Sequence, residues 1–150
     1  MEDEKKKITF NSKLIEFNLI EFSLVPTINE LPFDVNMLAY GFTFNATINP
    51  TEGLFTVSCL VEIFTDNSKS TLLGKIQTSG SFHILNFSEF LKAFDGNVPT
   101  NIVSMFMGMI LSTTRGVLFE KSKGTPIEGA LIPMVNTNAL FSNSEKITNP

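Results

Sequence analysis

Between Met37 and Leu85 one pattern recurs three times: an extended run alternating apolar and polar residues, separated from the next by a short polar turn. In "MLAYGFTFNATIN", Phe42, Phe44, Ala46 and Ile48 point one way and Thr43, Asn45 and Thr47 the other. In "LFTVSCLVEIF", Phe55, Val57, Cys59, Val61 and Ile63 share a face. In "TLLGKIQTSGSFHIL" the inner set is Leu72, Ile76, Phe82 and Ile84, with Gly74 and Gly80 as bulges or points of close approach. The turns "NPTEG" and "TDNSKS" are too short for crossovers, so these strands form an antiparallel meander.

Upstream, "KLIEFNLIEFSLVPT" is a fourth extended stretch. Ile15, Phe17 and Leu19 alternate, and then Ile20, Phe22 and Leu24 take over. The parity switch predicts a long strand with a bulge, or one buried on both faces. Pro26 ends it, and "INELPFD" reads as a loop.

Downstream the period changes. "NFSEFLKAF" predicts a short helix capped by Ser88, with Phe87, Phe90, Leu91 and Phe94 apolar. After "DGNVP", Pro99 opens a long helix over 99–121, "PTNIVSMFMGMILSTTRGVLFEK", which Gly116 is expected to kink or end early. A last helical turn falls near Ala139–Phe141. Strands first and helices after predict an α+β domain: a four-stranded antiparallel sheet with helices packed on one face. A chain of 150 residues fits a single domain, with the polar ends 1–7 and 142–150 expected as flexible tails.

The long helix invites a membrane reading, but its apolar run covers Ile102–Leu111 and "STTR" interrupts it short of the roughly 20 residues a span needs. No membrane insertion is expected. Two rows, Ile102/Phe106/Met109/Ile110/Thr113/Val117 and Val103/Met107/Leu111/Thr114/Leu118, make a wide apolar face for the sheet. On the third side Ser104, Gly108 and Ser112 stand where a wet helix carries Lys and Glu. They form either a solvent face that is merely small, or a helix–helix contact with the same helix of a second subunit, which makes the chain a homo-oligomer, dimer or tetramer.

Little in the chain suggests chemistry. A net charge of −4 and a single Arg argue against nucleic acid. Cys59 is alone, so neither a disulfide nor a Cys-based zinc site is possible. His83 is also alone and falls on the polar side of its strand with Gln77, Ser79 and Ser81. No metal-ligand cluster or phosphate-cradling glycine loop is present, so no enzyme activity, metal or cofactor is expected. The charged N-terminus has no signal-like apolar stretch behind it, which makes the cytoplasm the expected location. What is abundant is apolar material: 15 Phe and 6 Met, residues suited to surfaces that accept varied apolar segments.

Three places resemble the SecB-like protein-export chaperones. "IQTSGSF", 76–82, is similar to that family's last strand, with a Gly two residues before a Phe. The segment from Pro99 through "STTRG", 112–116, sits where the family has its long helix, with an Arg-Gly near its end. "LIPMVNTNALF", 131–141, resembles the family's Pro-Val-Asn-Phe-Asp-Ala-Leu run at Pro133, Val135, Asn136, Ala139 and Leu140. Met134 is inserted, Thr137 and Asn138 replace an aromatic and an acid, and the stretch before Pro133 is longer than usual. The end after 141 lacks the Cys and His with which classical members bind zinc and dock on the export motor ATPase. The resemblance implies a four-stranded antiparallel sheet with helices on one side, assembly as dimers of dimers, and the holding of unfolded polypeptide in long apolar grooves without nucleotide. By position, Phe87, Phe90, Phe94, Met105 and Phe106 would border such a groove, since the short helix and the start of the long one flank it. Two other readings stay open: a dedicated partner-binding protein, such as a toxin–antitoxin chaperone, and a small-ligand protein or enzyme in a curved, hotdog-like α+β fold.

Overall fold

The computed structural model describes residues 10–143. Strands β1 (Ser12–Leu24), β2 (Ala39–Asn49), β3 (Leu54–Phe64) and β4 (Leu72–Ile84) precede helices α1 (Phe87–Ala93), α2 (Thr100–Lys121) and α3 (Thr137–Asn143). The strands form one antiparallel sheet in the order β1-β4-β3-β2. The meander β2-β3-β4 follows from the two tight connections. β1 joins at its far side, so residues 25–38 carry the chain from one edge to the other, pinned near their start by buried Ile28.

Strict alternation makes β3 the floor of the core. Phe55, Val57, Cys59, Val61 and Ile63 are all fully buried. β2 pairs with β3 without a slip, from Ala39 against Phe64 to Asn49 against Leu54. In β4 the sequence expectation fails at one residue. The register slips between the Ile63 and Phe64 pairings, which turns Leu73 rather than Leu72 into the core. Gly80 is a true close-approach point: a methyl group built there would run into Ile110 of α2.

α2 lies across β3 and β4. Its sheet side buries Val103, Phe106, Met107, Ile110, Leu111, Thr114 and Leu118. Thr114 donates to the Ile110 carbonyl at 2.7 Å, and the Thr78 hydroxyl of β4 donates to Thr114 at 2.7 Å. This bond fixes the helix over the sheet at a site where both hydroxyls are buried and satisfied. Beside them, burial pushes the Cys59 thiol up to about 12, although Thr114 hydrogen-bonds to it.

Five expectations about the helices change. Met109 and Thr113, assigned to the sheet-facing rows, are exposed, because the buried arc is centred near Val103 and Thr114 and 100° per residue carries them past its Phe106 edge. Gly116 does not end α2, which runs on to Lys121. Its uninterrupted 22 residues do meet the length and composition of a membrane span, but they pack on the sheet as a core helix. The cap of α1 is Asn86, held at φ 54° with no side-chain cap bond, and Ser88 lies inside the helix. α3 extends to Asn143, into the stretch expected to be a tail; 1–7 and 144–150 lie outside the described residues.

Candidate polypeptide-binding site

β1 occupies an edge, and its sequence explains why it looks unlike the other strands. Its register against β4 shifts twice, between Leu14 and Glu16 and between Leu19 and Glu21. The two residues skipped are Ile15 and Ile20, which are 52% and 54% exposed. The parity switch in the sequence is therefore two bulges, and the strand is not buried on both faces.

Leu14, Phe17, Leu19 and Phe22 stand opposite Phe82, Gly80, Thr78 and Ile76, all buried residues of β4. Directly opposed residues share a face, so this β1 row continues the apolar, helix-covered side of the sheet. The helix packs chiefly on β3 and β4, and only its Ile110 side comes near Leu14 across Gly80. Phe17 and Phe22 pack partly against the core, while Leu14 and Leu19 stay 38% and 37% exposed. The result is an apolar shelf beyond the helix, ending at a strand edge that no other strand in the sheet pairs.

At one end of the shelf, aromatic rings run outward from the core. Phe106 stacks on Phe82 with centroids 4.1 Å apart and meets Phe55 at 5.1 Å. Phe10 bridges Phe106 at 5.8 Å and Phe90 at 5.2 Å, and Phe90 contacts Phe94 at 5.0 Å. Of the five residues expected to border a groove, Phe87, Phe90 and Phe106 are core side chains in this chain. Their sequence neighbourhood is right but their direction is inward, because α1 folds down onto the sheet end. Phe94 and Met105 are exposed. The β1 row was not singled out from the sequence, although the change from Ile15/Phe17/Leu19 to Ile20/Phe22/Leu24 was its signal.

Part of the small row of α2 meets the chain's own α3. Ser104 is buried and hydrogen-bonds to Thr137 of α3 at 2.8 Å, and Gly108 faces the same Thr137. Arg115 extends the contact, donating from Nε to the Ile132 carbonyl at 2.6 Å and from Nη2 to that of Pro133 at 2.8 Å. At Ser104 and Gly108, then, the row receives the chain's own C-terminal segment. Ser112 alone of the three is exposed. The "TTRG" and "LIPMVN" motifs, separate in sequence, meet through Arg115.

Reactive groups do not converge. Among the described residues no group of three or more His, Cys, Asp or Glu is placed to hold a metal. His83 is exposed in an open trough of about 420 Å³ with Glu52, Leu85 and Glu89. The outer face of the sheet mixes polar groups, such as the Thr56 and Ser81 hydroxyls 2.9 Å apart, with Leu60 and Phe64.

No protein-family model matches the chain, and a search of curated proteins finds no match. Solved structures do match. The SecB-like chaperone Rv1957 of Mycobacterium tuberculosis, solved in complex with a ChAD peptide from the Rv1956 HigA1 antitoxin, superposes with a TM-score of 0.50 at 10% identity, over 83% of this chain and 90% of that one. A protein of unknown function from Streptococcus agalactiae superposes with a TM-score of 0.44 at 8% identity, over 85% and 99%. The first likeness establishes the fold: a four-stranded antiparallel sheet followed by helices, as in a SecB-like chaperone.

Proposed function

We propose that this chain is a chaperone-like protein that holds an extended, apolar polypeptide segment along β1. One observation carries the reading: Leu14 and Leu19, with Ile15 and Ile20 at the adjacent bulges, are exposed along a strand edge that is unpaired among the described residues. A client strand adds main-chain hydrogen bonds to such an edge and buries alternate side chains on the shelf. Apolar burial supplies about 25 cal/mol per Å², so binding needs neither nucleotide nor metal. Phe94 and Met105 serve as outlying apolar contacts. The likeness in fold to a chaperone solved with a peptide supports polypeptide as the ligand class.

That neighbour's ligand comes from an antitoxin, which favours a second, narrower reading of the same site: one dedicated partner rather than many clients. The first test is whether the pure protein, at stoichiometric ratio, delays aggregation of a chemically unfolded client. Delay is the expected result, and a client that aggregates at its unassisted rate removes the general holdase. Affinity capture from the native host then separates the readings, since one recovered polypeptide favours the dedicated partner and a broad set favours the holdase.

A further inference from the structure

β1 contains a tandem repeat. Residues 14–18 read Leu-Ile-Glu-Phe-Asn and residues 19–23 read Leu-Ile-Glu-Phe-Ser. Each copy carries one bulge at the same place, its isoleucine, so five residues of β1 oppose four of β4 in either copy. Two main-chain bonds fix which way the strand's polar groups point. Val25 donates to the Leu73 carbonyl at 2.8 Å and Leu85 to the Asn11 carbonyl at 3.0 Å, so β1 residues opposite odd-numbered positions of β4 turn their N–H and C=O toward it. Those opposite even-numbered positions, Leu14, Phe17, Leu19, Phe22 and Leu24, turn theirs to the open edge. Their side chains are also the ones that form the apolar row. Each five-residue copy thus offers the edge two outward residues, a leucine and a phenylalanine, as four residues of a regular strand would. The phenylalanines pack partly against the core. Leu14 and Leu19 stay 38% and 37% exposed, four ladder steps or about 14 Å apart.

The two copies differ in charge. Glu21 is engaged by Lys75 at 3.4 Å. Glu16 is exposed and accepts from the Asn18 side chain at 3.0 Å, and no cation among the described residues lies within ion-pair distance of it. We infer, resting on the reading that β1 holds an extended polypeptide, that this repeat sets the register and direction of the bound segment. The segment runs antiparallel to β1 and has the form apolar-x-x-Lys/Arg-apolar, its first apolar residue opposite Leu19 and its second opposite Leu14. Residues four apart in a strand share a face, so both enter the apolar row, whereas a spacing of five sends one of them to the other face of the sheet. The residue just before the second apolar one stands opposite the Ile15–Glu16 bulge, where the uncompensated carboxylate favours a cation. A parallel segment would instead bring the residue just after the first apolar one to Glu16. Antiparallel pairing is the more stable per residue and is the pattern of every pair in this sheet.

The test is fluorescence anisotropy of labelled synthetic peptides titrated with the full chain. All share a serine- and threonine-rich host with two leucines as the apolar residues. Leucines four apart are expected to bind about tenfold more tightly than leucines five apart. With the spacing held at four, lysine just before the second leucine is expected to bind about threefold more tightly than lysine just after the first, and Glu16→Gln to close that gap. Leu14→Ser should weaken binding of the two-leucine peptide about tenfold and leave a peptide without the second leucine unchanged, with far-UV circular dichroism as the control for folding. Equal affinity for the two spacings, or a preference for lysine after the first leucine, overturns the inference while polypeptide binding at β1 stands. Failure of every peptide to bind removes that reading and this one with it. Peptide binding that weakens as the protein is concentrated would give the edge to β1 of a second copy, and overturns the inference as well.

Discussion

β1 and β2 are both edge strands, yet the chain finishes one and leaves the other open. β2 pairs without a slip, and its Phe44, Ala46 and Ile48 join the same buried cluster as Ile28 of the crossover and Ile127 and Ile132 of the segment after α2. Its other face shows Thr43, Asn45 and Thr47 to water. β1 slips twice, keeps Leu14, Ile15, Leu19 and Ile20 exposed, and lies to the side of the strands on which α2 chiefly packs. Edge strands usually blunt their open side with Lys, Pro or short length. β1 places isoleucines at its two bulges. Local alternation decides where a strand forms, and what packs over it decides whether the strand is structural or available.

The largest effect should separate the two edges by stability. Phe44→Ala on β2 removes a ring that is 2% exposed and should cost about 3–5 kcal/mol. Leu19→Ala on β1, from a side chain already 37% exposed, should cost no more than about 1 kcal/mol. Urea unfolding of both variants checks the pair, and equal losses would mean the shelf is part of the core after all.

The interior between the edges makes a titration prediction. The Cys59 thiol is raised to about 12 by burial, from an ordinary value of 9.0. Above pH 9 the unfolded chain loses this proton and the folded one keeps it, so the unfolded state binds fewer protons and stability falls as pH rises. The loss grows by about 1.4 kcal/mol per pH unit between those two values, reaching roughly 2 kcal/mol near pH 10.5. Thermal melts of wild type and Cys59→Ala over that window should diverge, with the alanine variant lacking this component. Parallel curves would show that water reaches the centre of the sheet.

These contrasts also mark what the sequence could tell. The meander was legible because Phe42–Ile48 and Phe55–Ile63 place an apolar residue at every second position and their turns are short. The α+β order was legible from the change of period at "NFSEFLKAF". The shelf was not, because a parity switch records that a bulge exists and says nothing about which elements fail to cover the strand. Phe106 illustrates the same limit: its type suits a groove, but only the crossing of α2 over Phe82 and Phe55 turns it inward. The small row of α2 was visible, and its neighbour was not, since Thr137 lies 33 residues from Ser104 in the chain. A hydroxyl pair at that separation leaves no periodic trace.

A smaller effect tests whether the open edge is used. Ile15→Lys with Ile20→Lys places two charges on the edge at side chains that are more than half exposed. Stability should change by about 0.5 kcal/mol or less, as for surface sites generally. Affinity for an extended apolar peptide, read by fluorescence anisotropy, should fall about tenfold. The matching pair on β2, Thr43→Lys with Thr47→Lys, should leave peptide affinity unchanged. An equal loss from both pairs would assign the effect to net charge and not to the β1 edge.

The smallest effect concerns how β1 is attached. On its polar face Glu21 reaches Lys75 of β4 at 3.4 Å, with both side chains about two-fifths exposed, and Ser23 donates to Glu21 at 3.2 Å. An ion pair so wet, partly screened at ordinary salt, contributes on the order of 0–1 kcal/mol. Glu21→Gln should therefore cost under about 0.5 kcal/mol, with the difference from wild type shrinking further at 1 M salt. If β1 is held by its backbone ladder and by Phe17 and Phe22, hydrogen exchange of the β1 amides bonded to β4 should stay as protected in this variant as in wild type. Faster exchange along β1 alone would mean that the exposed pair, not the apolar row, keeps the strand in place. The shelf would then open and close with ionic strength, and the contrast with β2 would be one of dynamics as much as of cover.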